Sequence, residues 1–436
     1  MGGQAFLTHS PPLPTPRMPF DIYTIVLKQT LDTLRKHYTH ADAPIEGPGK
    51  DTHGDVDVLV TGPLNPSFDP TLTPKKLVAE ILSKELGAKG FIFDKGNPTI
   101  NFAVPWPEQT EGDEEKYVQI DVHWLENPAS FTWELFHSAH GDLWNILGTS
   151  IRPFGLTVND VGLYLRIPEI ELLDRKKSMV FLTSDPGEVL EFLGLKEEKW
   201  WKQFGNRNEM FEYAAGGRLF WVKPQEEEGD EAKIGDVLGE FAQIEGQEGG
   251  EKGKKKLKHN DRKRMSQRPI FREWIDEFIP KCRESGKYTK ARVTREQIRD
   301  EAFEMFGVGE EYEGRRREWM LARHRDELGR EAIKGSIPIE DVDPQFRAVA
   351  IRTLRELVLE QEVIDGLELP QKAKKNEDGF WDIDAVREFV VANWKLAGET
   401  GWKRQQERAM ETMKIKAEKR KRDELDQEVD KVGRVG

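Results

Sequence analysis

A single cysteine, Cys282, stands in 436 residues. That excludes an intramolecular disulfide framework and any zinc site built on thiolates, and it suits a reducing compartment. No stretch approaches the eighteen or so apolar residues that a membrane helix requires, so no membrane partner is expected. Residues 1–18 lack the apolar core of a secretory signal, and Arg17 is their only Lys or Arg, too little for a mitochondrial presequence. Positive charge is in short supply overall. The chain has 66 Lys and Arg against 79 Asp and Glu, a net charge of −13. Non-specific coating of nucleic acid is not expected from such a balance, although a local basic groove is compatible with it. No internal repeat is visible. These absences leave a nuclear or cytoplasmic chain of two or three domains, long enough for a large core.

Against that background one stretch stands out. Gly47, Pro48, Gly49 and Lys50 form a glycine-bearing loop, and Gly54, Asp55, Val56, Asp57, Val58, Leu59 and Val60 follow as a β-type run. Asp55 and Asp57, two apart on a strand, point to the same face. Carboxylates so placed repel each other, and a cation between them relieves the repulsion; hard oxygen ligands favour Mg²⁺ or Mn²⁺. A second strand-like run covers 117–124. Val118, Ile120, Val122 and Trp124 take one face, with Tyr117, Gln119, Asp121 and His123 on the other. Asp121 is thus a third acid set in an apolar, cleanly alternating strand.

The Gly-Asp-Val-Asp pattern with apolar flanks, the glycine loop before it and the later apolar-Asp-apolar strand resemble the nucleotidyltransferase superfamily with the DNA polymerase beta-like fold. The resemblance covers about residues 20–125. It implies an α+β fold: a nucleotidyltransferase-like palm, with a mixed sheet and flanking helices, here joined to an α-rich C-terminal domain. It implies a nucleoside triphosphate as substrate, ATP among the candidates, and Mg²⁺ or Mn²⁺ as cofactor. Asp55 and Asp57 would hold two divalent ions, with Asp121 completing the site of the ion that activates the acceptor hydroxyl. Such ions sit roughly 3.5–4 Å apart in two-metal sites. The most favoured acceptor is an RNA 3′ end or another nucleic acid. Gly47, Gly49, Lys50 and Gly54 would contact the nucleotide, Lys50 as a point charge toward the β or γ phosphate. The family places Gly-Gly or Gly-Ser at a helix start ahead of the acids. Here Gly47 stands only eight residues before Asp55 and proline replaces the second small residue. That departure supports the rival reading, a catalytically inactive module of the same fold that binds nucleic acid or a partner.

Taken in order, 1–18 reads as a flexible, proline-punctuated arm and 19–130 as the nucleotidyltransferase-like core. Within the core the patterns predict a helix over 20–38, a loop over 43–54, a strand over 55–60 broken at Gly62, a helix over 74–86, a hairpin of 91–93 with 99–104, and the Asp121 strand. An attached α+β module spans 131–223. It has a helix over 131–148, short strands at 161–167, 169–173 and 179–182, and a helix starting at Ser184. Residues 224–268 are a charged linker, with a short helix at 234–244 and a basic run at 252–264. An α-helical domain spans 269–400, and 401–436 is a charged helical tail.

Other chemistry-bearing residues read as structural. His53, His123, His137 and His140 sit at no metal-ligand spacing, although His123 shares the face of Asp121. Ser138, His140 and Asp142 cannot converge as a triad at helical offsets of two and four. Arg152, Arg166, Arg175, Lys176 and Lys177 read as surface charges, with nucleotide or primer contact as the sharper alternative. The basic run lacks interleaved aromatics to stack on bases. Gly216 and Gly217 read as a helix end.

Overall fold

The computed structural model describes residues 3–94, 96–107, 114–223, 266, 268–290 and 293–432. They form two units, residues 1–312 and 313–436. The short helix expected at 234–244 and the basic run at 252–264 lie outside the described residues.

The first unit is built on a five-stranded mixed sheet. Its strands are β2 (Tyr38–Asp42), β4 (Asp55–Pro63), β5 (Gly90–Phe93), β6 (Thr99–Pro105) and β7 (Tyr117–Trp124), in spatial order β2-β4-β7-β6-β5. Only β4 and β7 run parallel. Alternation decides the faces. Val56, Val58 and Val60 of β4, Ile100, Phe102 and Val104 of β6, and Val118, Ile120, Val122 and Trp124 of β7 share one core. That core is closed by α1 (Phe20–Leu34) through Tyr23, Val26 and Leu34, and by α2 (Lys75–Glu85) through Val78 and Leu82. The opposite face carries the polar residues of β4, β6 and β7.

Helix α1 stops at Leu34, four residues short of the expected end, because Tyr38 is needed in the sheet. The Tyr38 ring is buried, its hydroxyl donates to the Phe68 carbonyl at 2.9 Å, and it accepts from Trp124 Nε1 at 2.9 Å. Tyr38 also opens β2, an edge strand that the helical reading hid. Pairing with β2 carries β4 through Gly62 to Pro63. Gly62 takes φ +66°, and a Cβ there would stand 2.0 Å from Thr39 Oγ1, so the glycine serves a kink inside the strand rather than ending it. Tyr38→Phe leaves the Trp124 N–H and the Phe68 carbonyl without that partner. The expected loss is about 1–3 kcal/mol, read as a lower urea midpoint at unchanged m.

The segment expected to be a flexible arm is packed. A 3₁₀ turn, Ala5–Thr8, buries Phe6, which clusters with Leu13, Ala103 and Tyr117. Met18 enters the main core, and β1 (Met18–Pro19) pairs with β3 (Thr52–His53), a two-residue strand inside the expected loop.

Beyond β7 the expected helix of 131–148 is two helices, α3 (Pro128–Ser138) and α4 (Leu143–Ile151), separated where His140 and Gly141 adopt positive φ. Strands β8 (Leu156–Val158), β9 (Leu163–Arg166) and β10 (Met179–Thr183) make an antiparallel sheet in the order β10-β9-β8. The strand expected at 169–173 is instead a helical turn, Pro168–Glu171, for which Pro168 supplies a preset first-turn φ. The next helix, Pro186–Leu193, is capped by Asp185 rather than Ser184, with the Asp185 side chain accepting from the Glu188 N–H. Arg207–Ala215 ends at Gly216, as the glycine pair suggested.

Residues 269–312 do not join the C-terminal unit. The division expected at 268–269 lies instead at 312–313. Trp274 is buried and its Nε1 donates to Thr149 Oγ1 at 3.2 Å, while its ring packs on Phe211 and Phe220. The surrounding helix widens to a π turn at Trp274–Phe278 ahead of Pro280, which has no N–H to give the ladder. The second unit is helical. Pro344–Val358 and Ile383–Val432 pack with Leu328, Ala332 and Ile333 around a core that includes Leu354, Leu357, Val386 and Val390. The expected charged tail continues the last helix, and its Met410, Met413 and Ile415 are exposed.

Candidate functional site

Strand register assembles the three acids. In the parallel pair Asp57 stands opposite Asp121 and Asp55 opposite Gln119; on the far side of β7, Asn101 stands opposite Asp121. One row across three strands therefore reads Asp57, Asp121, Asn101. One oxygen from each of Asp55, Asp57 and Asp121 lies within 4.8 Å of the others. All three donors are hard oxygens. Asp57 is exposed at the mouth, and Asp55 and Asp121 are half-buried.

The electrostatics follow from this crowding. Asp57 remains open to water, yet the protein around it displaces much of its hydration. Its carboxyl is pushed up to about 7, first by this desolvation and then by Asp55, Asp121 and Glu46, with Lys50 opposing. Asp121 is raised by burial, against the lowering effect of hydrogen bonds from Asn101 and Gln119. Asn101 Nδ2 donates to Asp121 Oδ1 at 2.6 Å, and Gln119 Nε2 donates to Oδ1 at 2.9 Å and to Oδ2 at 3.2 Å. Clustered carboxylates that repel one another, with oxygen donors only, fit a divalent ion of the Mg²⁺ or Mn²⁺ type.

The expected nucleotide loop takes a different form. Gly47, Pro48 and Gly49 lie in a loop and turn that lead to β3, so the loop does not itself run into a helix. A Cβ on Gly47 would come within 3.2 Å of the His140 carbonyl, and the Gly49 carbonyl accepts from Arg207 Nη2 at 3.1 Å. Arg207 is itself paired with Glu273 at 3.0 Å. Lys50, expected to face phosphate, pairs with Glu46 at 2.7 Å. Gly54 is buried immediately before Asp55.

The remaining candidates separate. His53 is buried and stacked on Tyr23, ring centroids 4.0 Å apart, with Glu46 3.6 Å away. His123 Nδ1 is 2.8 Å from Thr99 Oγ1, and His140 Nε2 is 2.6 Å from the Trp200 carbonyl. Ser138 donates to Glu134, and Asp142 pairs with Arg268, so the paper triad points three ways. Arg166 is no surface charge: it is buried in an ion cluster with Glu171 and Arg295.

Glu46, Asn101 and Gln119 were not singled out from the sequence. For Asn101 a signal existed, since Thr99, Asn101 and Ala103 alternate with Ile100, Phe102 and Val104 and so face away from the core. Glu46 had none, because a loop has no periodicity to read.

No family model and no curated protein matches the chain. Among solved structures it is similar to Leishmania infantum polymerase beta in a ternary P/T complex, at 16% identity over 43% of this chain and 77% of that one, with a TM-score of 0.30. A likeness this distant adds no weight to the site, which stands on its own geometry.

Proposed function

We propose that the chain is a divalent-metal-dependent nucleotidyltransferase, moving a nucleoside monophosphate from a nucleoside triphosphate to a hydroxyl acceptor, with an RNA 3′ end as the first acceptor to test. The observation that carries this reading is the convergence of Asp55, Asp57 and Asp121 on adjacent parallel strands at a solvent-open face. Bound Mg²⁺ or Mn²⁺ supplies charge neutralisation at the α-phosphate, the attacking hydroxyl and the leaving oxygen. The protein's own part is to hold three carboxylates in one place, with Asn101 and Gln119 fixing the orientation of Asp121. Lys50 and the Gly47–Gly49 turn remain the proposed phosphate contacts, and Lys50 would have to exchange Glu46 for phosphate.

That exchange favours a second reading, a silent module of the same fold. The loop that runs into no helix and the Lys50–Glu46 pair are the observations behind it. The two are separated by incorporation of each labelled ribonucleotide into pooled small RNA, with Mg²⁺ or Mn²⁺, comparing wild type with Asp55→Ala/Asp57→Ala. The expected result is incorporation that falls by roughly 10³-fold or more in the double variant. Equal incorporation in both proteins, or none in either together with no triphosphate binding, overturns the enzyme.

A further inference from the structure

Residues 3–17 touch both acid-bearing strands beside the acids themselves. Gly3, at φ +79°, lies against Gly54, where a Cβ would stand 2.3 Å from the Gly54 carbonyl oxygen; only glycine fits there. The Ala5 N–H donates to Gln119 Oε1 at 3.0 Å. Gln119 is only 4% exposed, and its other end donates to Asp121. The orientation of this amide is fixed by its neighbours: turned over, it would set its NH₂ against the Ala5 N–H and its oxygen against a carboxylate. The segment is anchored independently of the site. Phe6 and Leu13 are buried against Ala103 and Tyr117, Thr15 Oγ1 donates to the Gly3 carbonyl at 2.6 Å, the Tyr117 N–H donates to the Pro14 carbonyl at 2.9 Å, and Arg17 Nε donates to Thr52 Oγ1 at 2.9 Å.

A packed backbone N–H thus holds an amide that holds a carboxylate. With Asn101 and Gln119 both donating to Oδ1, Asp121 is left with Oδ2 as its more open oxygen. We propose that Gln119 is the positioning residue of the carboxylate site and that residues 3–15 are its bracket, fixing which oxygen of Asp121 faces a divalent cation. This rests on the metal-site reading above. Partners of ligating side chains that are themselves hydrogen-bonded are worth roughly 10–100-fold in metal affinity.

The test is Mn²⁺ affinity of the full chain, read from the electron paramagnetic resonance signal of free Mn²⁺, for wild type, Asp121→Asn, Gln119→Met, Ala5→Pro and the Gln119→Met/Ala5→Pro pair. Ala5 opens a 3₁₀ turn, where proline removes that N–H and also presses Gln4, at φ −113° and ψ 0°, toward extended backbone. The expected result is about tenfold weaker binding in Gln119→Met, a smaller loss in Ala5→Pro, and no further loss when Ala5→Pro is added to Gln119→Met, because Ala5 acts through Gln119. A merely structural role would lower the stability of both variants and leave the Mn²⁺ affinity of the folded proteins unchanged. Wild-type affinity in folded Gln119→Met, or additive losses, overturns the proposal. Should Gln119→Met fail to fold, Ala5→Pro decides, and unchanged affinity there overturns it. If wild type and Asp121→Asn bind Mn²⁺ alike, the metal site itself fails and the bracket with it; loss in Asp121→Asn with none in Gln119→Met sinks the bracket alone.

Discussion

Asp57→Asn is expected to make the metal-free protein more stable while, on the nucleotidyltransferase reading proposed above, reducing nucleotide incorporation by roughly 10³-fold or more. The stability arm follows from the crowded acids. In the fold the Asp57 carboxyl is raised to about 7, against about 3.9 for an unfolded chain. The folded state therefore binds the proton more tightly, and stability falls as pH rises from about 4 to about 7, then levels off with the carboxylate ionised. At pH 8 the ionised group is a net cost, and asparagine removes it. Raising a carboxyl from about 4 to about 7 corresponds to about 4 kcal/mol, but Asp57 is exposed and water screens much of that, leaving roughly 1–2 kcal/mol. The gain should shrink as the pH is lowered through 7 toward 4. In wild type, Mg²⁺ or Mn²⁺ should raise the melting temperature by binding the folded state; in Asp57→Asn that rise should be absent. Melts at pH 5 and pH 8, with EDTA and with metal, read both arms. A variant less stable than wild type at pH 8 in EDTA would show that the acids are not under mutual strain.

The largest stability loss is expected from Glu171→Ala. Glu171 is 6% exposed and pairs with Arg166 Nη1 at 3.2 Å and with Arg295 Nη2 at 2.9 Å; those arginine side chains are 3% and 15% exposed. Arg166 also donates to the Arg152 carbonyl at 2.6 Å, so it cannot swing to water without further breakage. Removing the Glu171 carboxylate takes an ion-pair partner from both guanidinium groups in a poorly hydrated interior. The expected cost is about 3–5 kcal/mol in urea unfolding. Replacing all three by apolar residues of similar volume should cost less, because these three charges then leave together. Equal losses in the single and triple variants would show that packing, rather than charge, holds 269–312 to the three-stranded sheet.

The same cluster shows where local pattern stops being informative. Arg166 sits on a short strand and reads as a surface charge, since Glu171 lies five residues on, past the strand, and Arg295, which shares that carboxylate, lies 129 residues away. Tyr38 ends a helical pattern by three- and four-residue spacing, yet two hydrogen bonds from loop and strand draw it into the sheet. Residues 169–173 alternate like a strand, but Pro168 and the burial of Ile170 favour a helical turn. Phe6 is one aromatic among prolines; only the presence of Ala103 and Tyr117 shows why it is buried.

What the sequence determined by itself was four strands of the main sheet, β4 to β7, and the faces of their residues. Alternation at period two is a local property of the backbone, and it put Asp55, Asp57 and Asp121 on polar faces and Val56, Val58, Ile120 and Val122 on apolar ones. The fold class, a mixed sheet with flanking helices and a helical C-terminal region, came from the family resemblance that these residues carry. The tertiary structure decided the register that sets Asp57 opposite Asp121, the turn that ties Lys50 to Glu46, and the packing of residues 3–17 against the acid-bearing strands. Each of these joins residues distant in the chain through hydrogen bonds and charge, and such pairings leave no period in the sequence because their strength depends on distance in space alone.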